Sequence, residues 1–323
     1  MFGQITDVSG ISVGHWSDFD GATGCTVILA SDGAVGGVEV RGDSPGTRET
    51  DILNSQNRIE AVHGVILSGG SAFGLNAADG VMKYLEKQGI GVSVGELKVP
   101  IVAGAVLYDL NVGDPSVRPG SNEGYHACID ARRDGFEEGS VGAGTGATVG
   151  KTRGFENSVK GGIGSASVSL SDGYTVGSIV AVNAIGSIHD PDSGVLIAGP
   201  TNKERTMLSA MDDLLNGSCS DDFGFGYNTT IGVVATNAPL TKVQVNRLAM
   251  TAHNGLALSI RPSHLSGDGD TMFAISTGGS YGSTRIQGMN SLIAAVVRTT
   301  SQAIVNAVKN ARGLAGIPAA KEL

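Results

Sequence analysis

The chain has little cysteine and no cluster of positive charge. Cys25, Cys128 and Cys219 are its only cysteines, and they lie far apart without C-x-x-C spacing. This argues against a disulfide framework or a structural zinc site, and a reducing cytoplasm is the expected location. The 22 basic residues are scattered and are outnumbered by 31 acidic ones, for a formal charge of −9. We therefore expect no nucleic-acid partner.

Long apolar runs and metal-binding motifs are also missing. No uninterrupted apolar stretch reaches the roughly 18 residues that a membrane span requires, and no basic-then-apolar segment opens the chain. The six histidines never adopt H-E-x-x-H or comparable spacing. We expect a soluble protein that contacts no membrane and uses no metal or other cofactor.

Glycine is the residue in excess, with 50 of 323 positions, where the usual share is roughly 7%. The composition is nevertheless not that of a disordered chain, because the chain has just nine prolines and 41% of its residues are hydrophobic. The glycines separate apolar strand-like runs, which is typical of tight strand ends and close backbone contacts. Helical periodicity alternates with these runs, and no Pro- or Ser-rich linker divides the chain. The pattern predicts one domain, residues 1–323, of mixed α/β layers.

Several elements are predicted with definite ends. They are a strand–turn–helix unit over 64–85, a β-hairpin over 163–185, a helix beginning at the Thr241/Gln244 capping box, and a final helix over 291–312. Shorter strands are expected over 25–29, 35–40, 101–110 and 229–235, and a short helix over 203–215.

A polar run ending at Asp270 meets Thr271, and an apolar strand-like stretch follows at once. If the Asp270–Thr271 bond breaks, Thr271 carries a hydroxyl and an α-amine on one carbon framework. An α-amine has a reference pKa of roughly 7.7 to 8, so part of it is neutral near pH 7 and can accept the hydroxyl proton. The junction predicts a self-cleaving threonine nucleophile. The same residues also fit an ordinary turn that opens a strand.

Two further segments match known motifs imperfectly. Ser71 lies in a G-x-S-x-x-G strand-to-helix turn, whereas the serine hydrolase motif is G-x-S-x-G, and a helix cap explains it as well. Residues 145–152 approach the phosphate-binding loop, but Thr145 replaces its first glycine and no helical pattern follows. We interpret this glycine loop as lining a cleft or as packing under another strand. Ser71, Gly144 and Thr145 are our candidate substrate-binding residues.

Several long strings, in the same order, resemble the family of L-aminopeptidase/D-esterase and β-aminopeptidase enzymes, which includes the nylon-oligomer endohydrolases. The strings are 7–15, 24–29, 67–75, 99–102, 141–147, 234–240 and 267–271. The resemblance implies an N-terminal-nucleophile hydrolase with an α-β-β-α layered sandwich. Such a precursor cleaves itself before Ser or Thr, here into 1–270 and 271–323, and its two chains stay together, usually in tetramers.

Carried onto this sequence, the resemblance implies that Thr271 is the nucleophile and that an asparagine lies near the oxyanion. Asn237 is the first candidate and Asn228 the second, because either side-chain amide can donate to the developing negative charge. Asn237 also fits a cap of the turn that follows it. The nylon hydrolases place a lysine beside the N-terminal amine, and Lys203 is the nearest candidate, although it also fits a solvated surface lysine.

One departure concerns the substrate. The family carries a Ser-x-Glu or Asp-x-Asp pair downstream of its nucleophile, whereas no carboxylate occurs here between Thr271 and Glu322. Whatever orients the new amine must be neutral, such as Asn290 or Ser291, or must come from residues 1–270. The sequence predicts an aminopeptidase or amidohydrolase acting on a small peptide, amide or ester. Acyl transfer and non-catalytic small-molecule binding remain the alternatives.

Overall fold

The computed structural model describes residues 3–220, 228–279 and 288–323. The strands are β1 (Ser12–Asp18), β2 (Thr23–Val40), β3 (Thr47–Arg48), β4 (Ala61–Ser68), β5 (Val92–Val94), β6 (Leu97–Val99), β7 (Val102–Val106), β8 (Thr148–Val149), β9 (Val159–Lys160), β10 (Gly162–Ser169), β11 (Thr175–Asn183), β12 (Ser187–His189), β13 (Leu196–Ala198), β14 (Thr229–Thr236), β15 (Ile260–Arg261) and β16 (Thr271–Ser276). The helices are α1 (Thr50–Leu53), α2 (Ala77–Lys87), α3 (Ser121–Asp130), α4 (Ala210–Asn216), α5 (Lys242–Ser259) and α6 (Met289–Asn310).

A nine-stranded sheet in the order β10-β11-β14-β16-β2-β4-β7-β3, with β1 beside β2, organises the molecule. Two neighbouring pairs, β14 with β16 and β4 with β7, are parallel. Strand β2 belongs to both halves of the sheet, because its first part pairs with β1 and β4 and its last part with β16. An irregularity between Leu29 and Ala34 separates the two parts, and such irregularities bend a strand.

Three hydrophobic clusters separate four layers. The middle cluster brings Ile231 and Phe273 of one half of the sheet against Leu67 and Ala105 of the other, so the two halves face each other. Helices α5 and α6 cover the outer face of the β10–β16 half, and α2 and α3 cover the outer face of the β2–β4 half. The order of layers is α-β-β-α, and the predicted fold class is confirmed.

Elements with local sequence signals are found where they are expected. The hairpin consists of β10 and β11, and the capping box of α5 forms through Thr241 and Gln244 as predicted. Three predictions differ in extent. The two strands predicted over 25–29 and 35–40 are one continuous strand, the strand predicted over 101–110 ends at Val106, and the helix predicted over 203–215 begins only after its Ser209 cap.

Helix α6 is long and apolar enough to span a membrane by length and composition alone. In this fold, 61% of its apolar window is buried inside the protein. Its Val296, Ile304 and Val308 pack in the cluster between the helices and the sheet. A mostly buried helix of this kind is typical of a protein core, where an apolar stripe faces the sheet.

Candidate active site

Thr271 is the first residue of β16 and is completely buried in the middle of the sheet. It pairs with Ile231 of β14 on one side and Val40 of β2 on the other. Side chains alternate along a strand, and Phe273 faces the layer between the two halves of the sheet, so Thr271 faces that layer too. Its hydroxyl donates to the carbonyl of Gly269 at 3.0 Å.

The peptide bond before Thr271 is held on both sides. The carbonyl oxygen of Asp270 accepts the backbone N–H of Arg41 at 2.9 Å. The Asp270 carboxylate is 2% exposed. One of its oxygens accepts the N–H of Thr230 at 2.7 Å, and the other accepts Nδ1 of His264 at 2.8 Å. The carbonyl and the side chain of Asp270 are therefore both fixed by hydrogen bonds.

The segment after β2 runs directly over this junction. The N–H of Ser44 donates to the carbonyl of Asp268 at 3.0 Å. A Cβ at Gly42 would overlap that same carbonyl and would lie 2.6 Å from the nitrogen of Asp270. Only glycine allows the two backbones to approach this closely, so Gly42 keeps the Arg41 N–H against the Asp270 carbonyl.

Asn228 and Asp268 form a buried polar pair next to the junction. Asn228 immediately precedes β14 and forms a β-bridge with Asp268, and both residues are 3% exposed. Among the described residues, Oδ1 of each side chain has no hydrogen-bond partner. Burial, reinforced by the neighbouring Asp270, raises the pKa of Asp268. Buried hydrogen-bond acceptors are normally paired with a donor. These two oxygens can therefore accept a hydrogen bond from a donor that is not among the described contacts.

Lys151 brings a buried amine to the same region. Its Nζ donates to the side-chain oxygen of Asn183 at 2.8 Å and to the Asn183 carbonyl at 3.0 Å, at the end of β11. Burial lowers the pKa of Lys151 to about 7, against the opposing charge of Asp268. A substantial share of this amine is thus neutral near pH 7. Sequence reasoning missed Lys151, because its only signal was an imperfect phosphate-loop pattern.

The structure separates the candidates for the oxyanion and lysine roles. Asn237 lies at the other end of β14 from Asn228. It is about 20 Å along the strand from Ile231, the residue that pairs with Thr271, at roughly 3.3 Å per residue. There its side-chain oxygen accepts the N–H of Thr175 at 2.7 Å. Lys203 is exposed in a turn after β13. The junction therefore contains Asn228 and has Lys151 in its surroundings, whereas Asn237 lies elsewhere.

The predicted substrate-binding residues lie in packed surroundings. The hydroxyl of Thr145 donates to the carbonyl of Gly142, and its own carbonyl accepts Nζ of Lys160 at 2.6 Å. A Cβ at Gly144 would overlap the backbone of β10. This loop is buried beneath β10, where its glycines allow close backbone packing, which corresponds to the second of the two interpretations of this segment. Ser71 is half-buried in the turn after β4, at a φ of +53°.

The neutral candidates for orienting the new amine and the question of a metal site concern other parts of the chain. Asn290 and Ser291 are exposed in the first turn of α6. Within residues 3–220, 228–279 and 288–323, no group of three or more His, Cys, Asp or Glu side chains is placed to hold a metal ion.

The α-β-β-α order of the four layers is that of the N-terminal-nucleophile hydrolase fold. A solved L-aminopeptidase D-Ala-esterase/amidase from Ochrobactrum anthropi, described as a variant of that fold, matches with a TM-score of 0.73 at 20% identity, over 98% of this chain and 90% of that one. A Burkholderia sp. β-aminopeptidase matches with a TM-score of 0.71 at 23% identity, over 99% and 91%. At these identities the likeness establishes the fold.

Residues 3–321 match peptidase family S58, and the chain belongs to this family. An uncharacterized aminopeptidase of Mycobacterium bovis is 39% identical over 348 residues, covering 99% of this chain and 97% of the relative. A 6-aminohexanoate-oligomer endohydrolase of Kocuria sp. is 30% identical over 274 residues, covering 84% and 74%. The family resemblance predicted from the sequence is confirmed, and the relatives support an amidohydrolase.

Proposed function

We propose that the protein is an amide hydrolase that activates itself by cutting between Asp270 and Thr271 and then uses Thr271 as an N-terminal nucleophile. The observation that carries this proposal is the junction itself. A buried threonine opens a central strand with its hydroxyl at 3.0 Å from the Gly269 carbonyl, and the carbonyl before it accepts the Arg41 N–H at 2.9 Å. A turn that only opened a strand would not need its carbonyl and its side chain both fixed.

Self-cleavage proceeds as an intramolecular acyl shift followed by hydrolysis. Oγ1 of Thr271 bonds to the carbonyl carbon of Asp270, and the C–N bond to Thr271 breaks. The proton lost by the hydroxyl ends on the departing nitrogen, which becomes the free α-amine. Water then cleaves the ester, regenerating the hydroxyl and leaving a carboxylate on Asp270. During attack, the Arg41 N–H donates to the oxygen that gains negative charge.

In the mature enzyme the new α-amine replaces an external base. It takes the proton of the Thr271 hydroxyl as that oxygen attacks the substrate's carbonyl, and it returns the proton to the leaving amine. The side-chain amide of Asn228 donates to the oxyanion, because Asn228 is the asparagine that adjoins the junction. Water then releases the acyl group and frees the threonine.

Lys151 is proposed to tune this proton transfer. Its Nζ donates a hydrogen bond to Asn183, and the negative charge of Asp268 raises the pKa of Lys151 against the larger effect of burial. With a pKa lowered to about 7 by burial, the amine can hold or release a proton near neutral pH. Before cleavage no α-amine exists, so we also assign the uptake of the hydroxyl proton to this partly neutral amine.

The proposed substrates are small peptides or peptide-like amides with a free amine. The relatives named aminopeptidases and 6-aminohexanoate-oligomer endohydrolases motivate this choice. No carboxylate follows Thr271 until Glu322, so we assign the amine anchor to Asp268, whose Oδ1 is buried without a partner among the described residues. A protonated amine donates to such an oxygen through a charge-assisted bond.

The test compares wild type with Thr271→Ala and Thr271→Ser on a panel of α-peptides, β-peptides, 6-aminohexanoate oligomers and amino acid esters. We expect hydrolysis by wild type, measurable hydrolysis by Thr271→Ser and none by Thr271→Ala. Full hydrolysis by Thr271→Ala would contradict the proposal. A product trapped on a competing amine would identify acyl transfer, and ligand binding without any turnover would identify a binding protein.

A further inference from the structure

The side chain of Asp270 makes hydrogen bonds that take no part in the bond-making and bond-breaking steps of self-cleavage. It is an acidic residue buried at the position whose carbonyl is attacked. One oxygen is bound by the N–H of Thr230 at 2.7 Å, and the other is bound by the ring of His264 at 2.8 Å and by the His264 N–H at 3.3 Å. Both oxygens of the carboxylate are therefore fixed, one from β14 and one from the loop before the junction.

We propose that His264 is a positioning residue for self-cleavage, holding the Asp270 side chain so that the scissile carbonyl stays against the Arg41 N–H. This inference rests on the proposed function, since it requires a cut between Asp270 and Thr271. His264 itself touches neither the attacking hydroxyl nor the attacked carbon. Its Nδ1 donates to the carboxylate, which can only accept.

The geometry explains why a hold on the side chain matters. Thr271 must attack the carbonyl directly before it, within a short ring, so small rotations of the Asp270 peptide change the approach of Oγ1 to the carbon. Among the described residues, the backbone donor to this carbonyl is the Arg41 N–H. Fixing the carboxylate on one side and the carbonyl on the other leaves the peptide plane little freedom.

The backbone of His264 is consistent with a residue kept for a specific contact. Its φ is +60°, in the left-handed region, where Asn, Asp and His are the non-glycine residues found most often. That conformation lets both the ring and the N–H of His264 reach the same oxygen of Asp270.

The charged and titratable groups around His264 favour this contact. The ring of His253, on α5, lies 4.9 Å from the His264 ring. Its Nε2 contacts the Glu39 carbonyl at 3.0 Å, and burial lowers the pKa of His253 to about 4. His253 is thus neutral near pH 7 and adds no positive charge beside the His264 ring. The exposed guanidinium of Arg41 pairs with Glu39 at 3.0 Å.

The test uses two substitutions with nearly the same shape. Asn and Asp both tolerate positive φ, but the amide introduced by H264N donates to Asp270, whereas the carboxylate introduced by H264D repels it. The full chain is synthesised in a cell-free system, and conversion to 1–270 and 271–323 is followed by mass spectrometry. We expect H264N to cleave within about threefold of wild type and H264D at least roughly tenfold more slowly, the range a mispositioned reacting group costs.

Control variants distinguish a loss of positioning from misfolding of the protein. H126N changes an exposed histidine on α3 and is expected to cleave at the wild-type rate. The cleaved fraction of H264D is expected to keep wild-type specific activity per active site, which a misfolded site would not. If H264D fails to fold, H264G accepts the same φ without a side-chain donor and is expected to cleave more slowly than H264N.

The outcomes are distinct. A wild-type chain that stays intact removes the proposed function and this inference together. If the wild-type chain cleaves, and H264D and H264G cleave as fast as the wild type, the role of His264 is overturned and the proposed function stands.

Discussion

Asn228 and Asn237 flank the same strand, β14, and only Asn228 lies at the end that adjoins the Asp270–Thr271 junction. We expect Asn228→Ala to lower kcat on the cleaved enzyme by roughly 10² to 10³, the usual cost of losing one oxyanion donor. Asn237→Ala is the matched control, expected to keep kcat and to lose about 1 kcal/mol of stability with its bond to Thr175. Steady-state kinetics decides, and the reverse order of effects would return the role to Asn237.

Lys151 and Lys203 are also expected to differ in their effect on kcat. Lys151→Met removes the buried amine whose Nζ contacts Asn183, and we expect kcat to fall by roughly 10² or more, as for loss of a positioned proton-transfer group. Lys203→Met changes an exposed side chain and is expected to leave kcat unchanged. The measurement is kcat of each variant, with thermal unfolding to check that Lys151→Met is folded. Equal activity of both variants would contradict the role of Lys151.

At the scale of elements, the loop that leaves β2 determines how close Arg41 comes to the junction. A methyl group at Gly42 would overlap the Asp268 carbonyl, so Gly42→Ala pushes the loop away and weakens the contact between Arg41 and Asp270. We expect self-cleavage to slow by roughly tenfold or more. Asp43→Ala, an exposed neighbour, is the control. Mass spectrometry after cell-free synthesis measures both, and unchanged cleavage in Gly42→Ala would argue against the Arg41 contact.

Local signals and long-range pairing differ in what a sequence can predict. The hairpin of β10 and β11 and the capping box of α5 were predictable because turn and cap residues are neighbours along the chain. The parallel pairing of β14 with β16 joins residues about 40 positions apart in the chain, and no local pattern specifies it. That pairing decides which asparagine adjoins Thr271, so the choice between Asn228 and Asn237 required the structure.

Lys151 was missed for a related reason. A lysine is usually a surface residue, and the glycines before Lys151 suggested a ligand loop. Its burial depends on contacts with Asn183, 32 residues later. The junction at Thr271 was recognisable because its polar run and its strand are contiguous. The self-cleavage, the roles of single residues, the tetramer and the cytoplasmic location stay predictions.

At the scale of the whole molecule, buried lysines make stability depend on pH. Lys160 is completely buried, and burial lowers its pKa to about 7 against the opposing charge of Asp109. In the unfolded chain a lysine has a pKa of roughly 10.4. Between these values the unfolded chain binds more protons, so the free energy of unfolding rises with pH, by at most about 1.4 kcal/mol per pH unit for each such lysine.

Lys160→Met isolates this effect. We expect a shallower rise of the free energy of unfolding between pH 7 and 9 in this variant, as roughly one proton fewer is linked to unfolding. Part of the slope remains because the pKa of Lys151 is also lowered to about 7. Lys321→Met, at an exposed position, is expected to keep the wild-type slope. Denaturant titrations at several pH values measure it, and an unchanged slope in Lys160→Met would mean that Lys160 stays charged when folded.

We expect the active enzyme to carry Thr271 as a new N-terminus, and N-terminal sequencing together with the intact mass of purified, active protein tests this. We expect two chains, one starting Thr-Met-Phe and one starting at the original terminus. Their masses should sum to the 32.7 kDa chain plus one water. A single 32.7 kDa species with full activity, yielding only Met-Phe-Gly, would contradict it.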